Sequence, residues 1–232
     1  MKALVLHGFT GSLDTVSLLT QTLEQEGCTV SMPVLRGHST QAEHLFRVHW
    51  RDWVADAREA LKELSPKRNE KVIVAGLSVG ALVASLIAAE FSHKVSRLAL
   101  LAPAFDFRSR LTHLTPILRK AFNIWPNETS YAGPGLQHNN TNYRHFPIES
   151  FQQVLALQEV AKDLLPNIVC PVGSFIAQKD PVVPTSVLKT IDKKIGSGPS
   201  RKYIYKKSHH ELLQDLQAKT VASDIRDFLM EQ

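Results

Sequence analysis

The chain has 232 residues, of which 44% are hydrophobic, so it is long enough to bury a sizeable core in one domain without disulfides or metal ions. Its net charge is +5, with basic residues concentrated between Lys189 and Lys207, but no aromatic stacking pattern or nucleic-acid motif accompanies that charge, so we expect a solvated face and no nucleic-acid partner. No window approaches the length of a transmembrane span, and His7 interrupts the short apolar N-terminal run, so we expect no signal sequence and no stable membrane insertion.

Short apolar runs alternate with helix-compatible segments along most of the chain. Most of the apolar runs lack period-two alternation, which is typical of strands buried on both faces of a parallel sheet. The alternation predicts an α/β fold with a doubly wound, mostly parallel six-stranded sheet, in a single domain spanning residues 1–232. The predicted strands are 2–7, 29–33, 71–75, 98–102, 172–177 and 201–205, and the predicted helices are 15–26, 50–64, 81–91, 184–195 and 212–230.

The segment 106–166 breaks this alternation, because it contains helix-like stretches at 111–122 and 148–164 but no convincing strand. It is too long for an ordinary loop. We predict a small helical cap insertion over the carboxyl edge of the sheet, where open α/β folds bind ligands; a surface excursion without substrate contact is the alternative. Its apolar side chains would line an acyl pocket or only pack the cap onto the sheet: Leu111, Leu114, Ile117, Leu118, Phe122, Ile124 and Trp125.

A candidate nucleophile follows the third predicted strand. The run Gly76-Leu77-Ser78-Val79-Gly80 comes directly after four apolar residues and before a helix-like segment. Flanking glycines permit the sharp turn that exposes a serine hydroxyl, so Ser78 is a candidate nucleophile. Taken alone, the same five residues also fit a phosphate cradle or a tight packing corner.

A serine nucleophile needs a base and a group that orients the base, and two later loops supply them. Asp180 follows the predicted strand 172–177, and His210 follows the strand 201–205. Each alone fits an ordinary turn or helix-entry residue. Three separate strand ends that supply Ser, Asp and His in this order favour a triad.

Two choices within this triad need a test. His209 precedes His210, and we favour His210 because of its register with Glu211 and Asp215. Asp106, just after the strand 98–102, competes with Asp180 for the orienting role; we expect it instead to begin the insertion.

Five segments spread over nearly the whole chain carry a resemblance to a known family: His7-Gly8-Phe9-Thr10-Gly11, Arg36-Gly37-His38, Gly76-Leu77-Ser78-Val79-Gly80, Asp180-Pro181-Val182-Val183-Pro184 and His210-Glu211-Leu212-Leu213-Gln214-Asp215. With them the chain resembles the α/β-hydrolase superfamily, in its small carboxylesterase and monoacylglycerol lipase branch. Ser39 stands where many relatives have a second glycine, which bears on the conformation of that loop. The match within the insertion is weaker.

The resemblance and the motif together predict a serine hydrolase that cleaves carboxylic esters, of short or medium acyl chains or of monoacylglycerols, through an acyl-enzyme. The backbone N–H groups of Phe9 and Val79 are predicted to form the oxyanion hole. Thioester hydrolysis, lactone hydrolysis or C–C cleavage on the same triad is the first alternative, and a binding protein without catalysis is the second.

The sequence predicts no cofactor and no metal, since the histidines show no metal-ligand spacing and no dinucleotide fingerprint or P-loop is present. Cys28 and Cys170 are isolated thiols, which favours a reducing, cytoplasmic location. We expect a small-molecule ester as the only partner, and a monomer or a homodimer.

Overall fold

A computed structural model describes residues 1–67, 69–109, 112, 122–127 and 131–231, with only the backbone of Asn139. Within these residues the strands are β1 (Lys2–Leu6), β2 (Thr29–Ser31), β3 (Val72–Leu77), β4 (Val95–Leu101), β5 (Ile124–Pro126), β6 (His145–Pro147), β7 (Val172–Ala177) and β8 (Ser200–Tyr205). The helices are α1 (Ser17–Gln25), α2 (Trp50–Leu64), α3 (Val79–Glu90), α4 (Ile148–Leu164), α5 (Val187–Lys194) and α6 (Ala218–Met230).

Six of the strands form one parallel sheet in the order β2-β1-β3-β4-β7-β8. Every residue of β3 and β7 is buried, as their mostly apolar sequences without period-two alternation indicate. The prediction of a six-stranded, parallel α/β sheet is therefore confirmed.

Helices cover both faces of this sheet. On one face α2, α3, α4 and α5 pack around a core that contains Trp53, Leu82 and Val154. On the other face α1 and α6 pack together over Phe175 and Tyr205. Both layers are apolar toward the sheet, so its two faces lie in two hydrophobic cores and only the strand ends remain available for a site.

The insertion differs from the prediction in two ways. β5 and β6 form a short antiparallel pair where no strand was expected, since three-residue strands leave no readable period in a sequence. In addition, α4 packs against α3 within the main core rather than lying wholly over the sheet edge. The predicted helix 111–122 lies almost entirely outside the described residues, as do Leu111, Leu114, Ile117 and Leu118.

The last helix begins at Ala218, six residues later than predicted. The side chain of Asp215 accepts hydrogen bonds from the backbone N–H groups of His209 and Leu216, at 2.7 Å each. A carboxylate that binds nearby backbone donors offers the chain an alternative to helix, which explains the irregular start.

Two further observations concern the composition. Cys28 and Cys170 are both buried and unbridged. Among the helices that the structure describes, none is both long enough and apolar enough to cross a membrane.

Candidate active site

Ser78 lies at the carboxyl end of β3, on a sharp turn into α3. Its φ is 55° and its ψ is −112°, a region that costs a residue with a side chain about 1–3 kcal/mol. The turn is held because the Ser78 N–H donates to Leu101 O at 2.8 Å and the Ser78 carbonyl accepts from Ala81 N at 3.1 Å.

The two glycines of the motif make this turn possible. A Cβ on Gly76 would collide with the backbone oxygen of Gly80, and a Cβ on Gly80 would collide with the carbonyl oxygens of Leu6 and His7. α3 therefore starts directly against the end of β1. This close approach points the Ser78 hydroxyl away from the sheet and toward the loops at the carboxyl edge.

The three residues predicted as a triad lie in one chain of hydrogen bonds. His210 Nε2 is 3.0 Å from Ser78 Oγ, and His210 Nδ1 is 2.8 Å from Asp180 Oδ2. Because an ionised carboxylate only accepts, Nδ1 carries the imidazole proton and Nε2 is free to accept from the serine hydroxyl. The tautomer is thus the one in which His210 can act as a base toward Ser78.

Asp180 is held rigidly in a turn after β7. Its Oδ1 accepts from the backbone N–H groups of Val182 and Val183, at 2.8 and 2.9 Å. The Arg108 guanidinium donates to the backbone carbonyl of Asp180, at 2.5 Å. The side chain of Asp180 is fully buried. Because Oδ1 is occupied by the two N–H groups, Oδ2 is the oxygen that faces His210.

Burial and mutual attraction compete in this pair. Burial alone would raise the pKa of Asp180, but the charge of His210 and the hydrogen bonds from His210, Val183 and Val182 outweigh burial and hold that pKa below its ordinary value. Burial would likewise lower the pKa of His210, and the neighbouring Asp180 carboxylate outweighs it and raises that pKa. The environment therefore favours an ionised Asp180 and an imidazole that accepts a proton readily.

The loop after β1 faces the elbow and is braced by two buried histidines. His7 Nδ1 donates to Gly8 O at 2.8 Å, and His7 Nε2 accepts from Leu35 N at 3.0 Å. His38 packs edge-on against Phe9 and His7. Burial lowers the pKa of His7 to about 4 and that of His38 to about 3, so both are neutral supports at neutral pH.

Phe9 and Val79 line the same cavity as Ser78 and His210. Within the described part of the chain, neither backbone N–H donates a hydrogen bond to a protein acceptor. The N–H groups of Phe9 and Val79 therefore remain the predicted donors of an oxyanion hole.

The cavity beside Ser78 has a volume of about 680 Å³ and is lined by both apolar and polar side chains. Its apolar lining includes Phe107, Phe146, Phe151 and Trp125. Its polar lining includes Thr10, Thr15, Asn127, Asn142 and Glu211.

Of the apolar residues predicted to line an acyl pocket, only three lie within the described part of the chain. Trp125 lines the cavity, whereas Phe122 and Ile124 are exposed and contribute nothing to its described walls. The side chains Phe107, Phe146 and Phe151 were not singled out from the sequence, because they come from three separate segments that only the fold brings together.

The competing candidates lie elsewhere. The Asp106 carboxylate accepts from the N–H of Phe107, at 2.8 Å, and within the described residues it does not contact His210. The His209 backbone N–H donates to Asp215, while the His210 ring alone lies between Ser78 and Asp180. Within the described ranges, no group of three or more His, Cys, Asp or Glu residues is arranged to hold a metal ion.

Sequence reasoning also missed three polar residues of this site, which are Arg108, Asn142 and Glu211. Arg108 supports Asp180, and Asn142 donates to Glu211 Oε1 at 2.8 Å. Nothing marks Arg108 in the sequence. Asn142 belongs to a cluster of asparagines that predicted only an irregular loop. For Glu211, the only signal was its position directly after His210.

A parallel sheet with helices on both faces, and a serine elbow, an acid and a histidine after three of its strands, define an α/β-hydrolase. The sequence matches the family described as "Serine aminopeptidase, S33" over residues 2–217, so the chain belongs to this hydrolase family. The prediction from the sequence motifs is confirmed in this respect.

Relatives place the chain in the lipase and esterase branch of these hydrolases. A thermostable monoacylglycerol lipase of Bacillus sp. (strain H-257) is 28% identical over 210 residues, which are 89% of this chain and 81% of the relative. A carboxylesterase of Bacillus subtilis (strain 168) is 22% identical over 97% of this chain and 91% of its own length. A solved structure from work on the metagenome-derived lipolytic enzymes LipS and LipT superposes with a TM-score of 0.92, at 24% identity, over 100% of this chain and 94% of that one.

Proposed function

We propose that the protein hydrolyses carboxylic esters through an acyl-enzyme on Ser78, with His210 as the base and Asp180 as its orienting acid. The hydrogen-bond chain from Ser78 through His210 to Asp180, at 3.0 and 2.8 Å, carries this proposal. Ser78 and His210 line a cavity whose apolar side chains suit an acyl chain.

In the first half of the reaction, Ser78 Oγ attacks the ester carbonyl carbon while its proton moves to His210 Nε2. The tetrahedral intermediate then expels the alcohol, which takes the proton from His210. In the second half, His210 removes a proton from water, and the resulting hydroxide cleaves the acyl-enzyme. The acid leaves and the proton returns to Ser78, so no net proton or electron is consumed.

The oxyanion of each intermediate would be stabilised by the N–H groups of Phe9 and Val79. Val79 is the first residue of α3, so the helix dipole adds to the hydrogen bond from its N–H. Phe9 is fixed by the neutral His7 and His38 beneath it, so this donor needs no reorganisation during the reaction.

The substrate class that we propose is an ester of a short or medium acyl chain, including monoacylglycerols. A cavity of about 680 Å³ is in the range that buries a ligand of this size. The relatives named as a monoacylglycerol lipase and a carboxylesterase support the same class.

The experiment combines labelling with turnover. A fluorophosphonate probe should label the wild-type protein at Ser78, and p-nitrophenyl esters should be hydrolysed with a rate that depends on acyl length. Ser78→Ala should abolish both. Ser85→Ala is the matched control. Ser85 is a buried serine of α3, the helix that begins directly after Ser78, and its hydroxyl donates to Ala81 O.

An aminoacyl p-nitroanilide, the kind of substrate on which an aminopeptidase acts, serves as a comparison. Faster turnover of that anilide than of every ester would refute the proposed substrate class. Labelling that persists in Ser78→Ala, or wild-type protein that neither labels nor hydrolyses esters, would refute the proposed mechanism.

A further inference from the structure

One carboxyl group in the cavity has no role in the proposed reaction. Glu211 follows His210 directly, lines the cavity and is only 6% exposed. Its Oε1 accepts from Asn142 Nδ2 at 2.8 Å, whereas its buried Oε2 has no hydrogen-bond partner among the described residues. Leaving a buried carboxyl oxygen unpaired costs about 1–3 kcal/mol, a cost that a hydrogen bond from a bound ligand would remove.

The position of Glu211 indicates which part of an ester it would face. His210 has to return its proton to the oxygen of the departing alcohol, so the alcohol portion lies next to the His210 ring. Glu211 is the next residue along the chain and lines the same cavity, so the alcohol portion is the part of the ester that we place beside it.

Asn142 fixes the Glu211 side chain in this position. The Asn142 Oδ1 atom approaches Gly11 so closely that a Cβ there would lie 3.1 Å away. The Asn142 carboxamide is thereby held between the loop after β1 and Glu211. Its one N–H···O contact leaves the second carboxyl oxygen of Glu211 as the unsatisfied atom.

We propose that Glu211, oriented by Asn142, is a specificity residue that binds a free hydroxyl group on the alcohol portion of the ester. The preferred substrates are then esters of diols and polyols rather than of simple alkanols. This inference rests on the proposed ester hydrolysis at Ser78.

A hydroxyl group suits either protonation state of this acid. Burial raises the pKa of Glu211, and the nearby Asp180 and Asp215 carboxylates add to that rise, while His210 and Asn142 oppose it. A protonated carboxyl donates to the hydroxyl oxygen, and an ionised carboxylate accepts the hydroxyl proton.

The test compares two esters of nearly equal size, ethylene glycol monobutanoate and propyl butanoate, which differ in one terminal hydroxyl or methyl group. For the wild type we expect the ratio of their kcat/KM values to be about ten or more in favour of the hydroxyl ester. In Glu211→Leu we expect this ratio to fall to near one. In Glu211→Gln, which keeps polar atoms at this site, we expect a ratio between that of the wild type and that of Glu211→Leu.

Asp215→Asn is the matched control. Asp215 belongs to the same loop, but its carboxylate is occupied by the N–H groups of His209, Ala132, Gly133 and Leu216. A change there should lower kcat/KM for both esters together and keep their ratio.

A wild-type ratio near one would overturn the proposal, and so would a ratio that Glu211→Leu leaves unchanged. The latter result, with both rates lowered, would identify Glu211 as a purely structural support of the His210 loop. The proposed ester hydrolysis is tested separately, because its failure would appear as loss of fluorophosphonate labelling and of all ester turnover in the wild type.

Discussion

Replacing Asp180 by asparagine should abolish most activity without unfolding the protein. Asp180 Oδ1 accepts two backbone N–H groups, and leaving these buried donors unpaired would cost about 1–3 kcal/mol each. The asparagine oxygen will therefore stay on Val182 and Val183, and its NH₂ group will face His210 Nδ1. His210 must then carry its proton on Nε2, where it cannot accept one from Ser78.

Loss of the correct tautomer of a general base lowers kcat by about 10⁴, which corresponds to about 5 kcal/mol in the activation barrier. The assay is kcat/KM on p-nitrophenyl butanoate, with urea unfolding as the check on folding. Asp106→Asn is the matched control and should stay within about twofold of the wild type, since Asp106 bonds only its neighbour's N–H among the described residues. More than a tenth of wild-type activity in Asp180→Asn, or an equal loss in Asp106→Asn, would refute this reasoning.

The same variant has a signature in the pH profile. The Asp180 carboxylate outweighs burial and raises the pKa of His210, so wild-type kcat/KM should rise with pH through a midpoint above the ordinary 6.5 of a histidine. Removing this charge should move the midpoint of the residual activity to lower pH. A midpoint that does not move would contradict the assigned pairing of the two side chains.

Three further predictions concern the histidines and the elbow. His210→Ala should abolish ester turnover while His209→Ala retains it, and equal losses would disprove the choice of base. Gly80→Ala should lower the free energy of unfolding by several kcal/mol in a urea titration, because its Cβ meets carbonyl oxygens, whereas Gly27→Ala, at φ 77° with open space around it, should cost about 1 kcal/mol. The neutral, buried His38 has a pKa lowered to about 3, so protons bind the unfolded state first as the pH falls below 6.5, and stability is lost. Between about pH 7 and about pH 5, the free energy of unfolding of His38→Gln should fall by about 2 kcal/mol less than that of the wild type. An equal fall in both proteins would refute the assignment of His38 as neutral.

Local sequence was sufficient for the elbow and for most of the fold. β7 and α2 have the predicted bounds, because a mostly apolar strand and an amphipathic helix that ends before Pro66 can be recognised from their own residues. The placement of Ser78 on a strand-turn-helix junction followed from two glycines that no other residue could replace.

Contacts between distant segments were not readable in the same way. Asn142 meets Glu211 across 69 positions, and Arg108 meets Asp180 across 72, so no local pattern marks either pair. The predicted start of α6 was wrong because Asp215 accepts from backbone N–H groups of its own loop and of residues 132–133. These contacts exist only in the folded chain.

The hydrogen bond between Ser78 and His210 joins residues 132 positions apart, and the two lie after β3 and β8. Three strands of the sheet, β4, β7 and β8, must pair in register before the imidazole can reach the hydroxyl. Loop closure over such separations is slow, so during refolding the recovery of hydrolytic activity should lag behind helix formation. Enzyme activity would then serve as a kinetic probe for the last edge of the sheet to assemble.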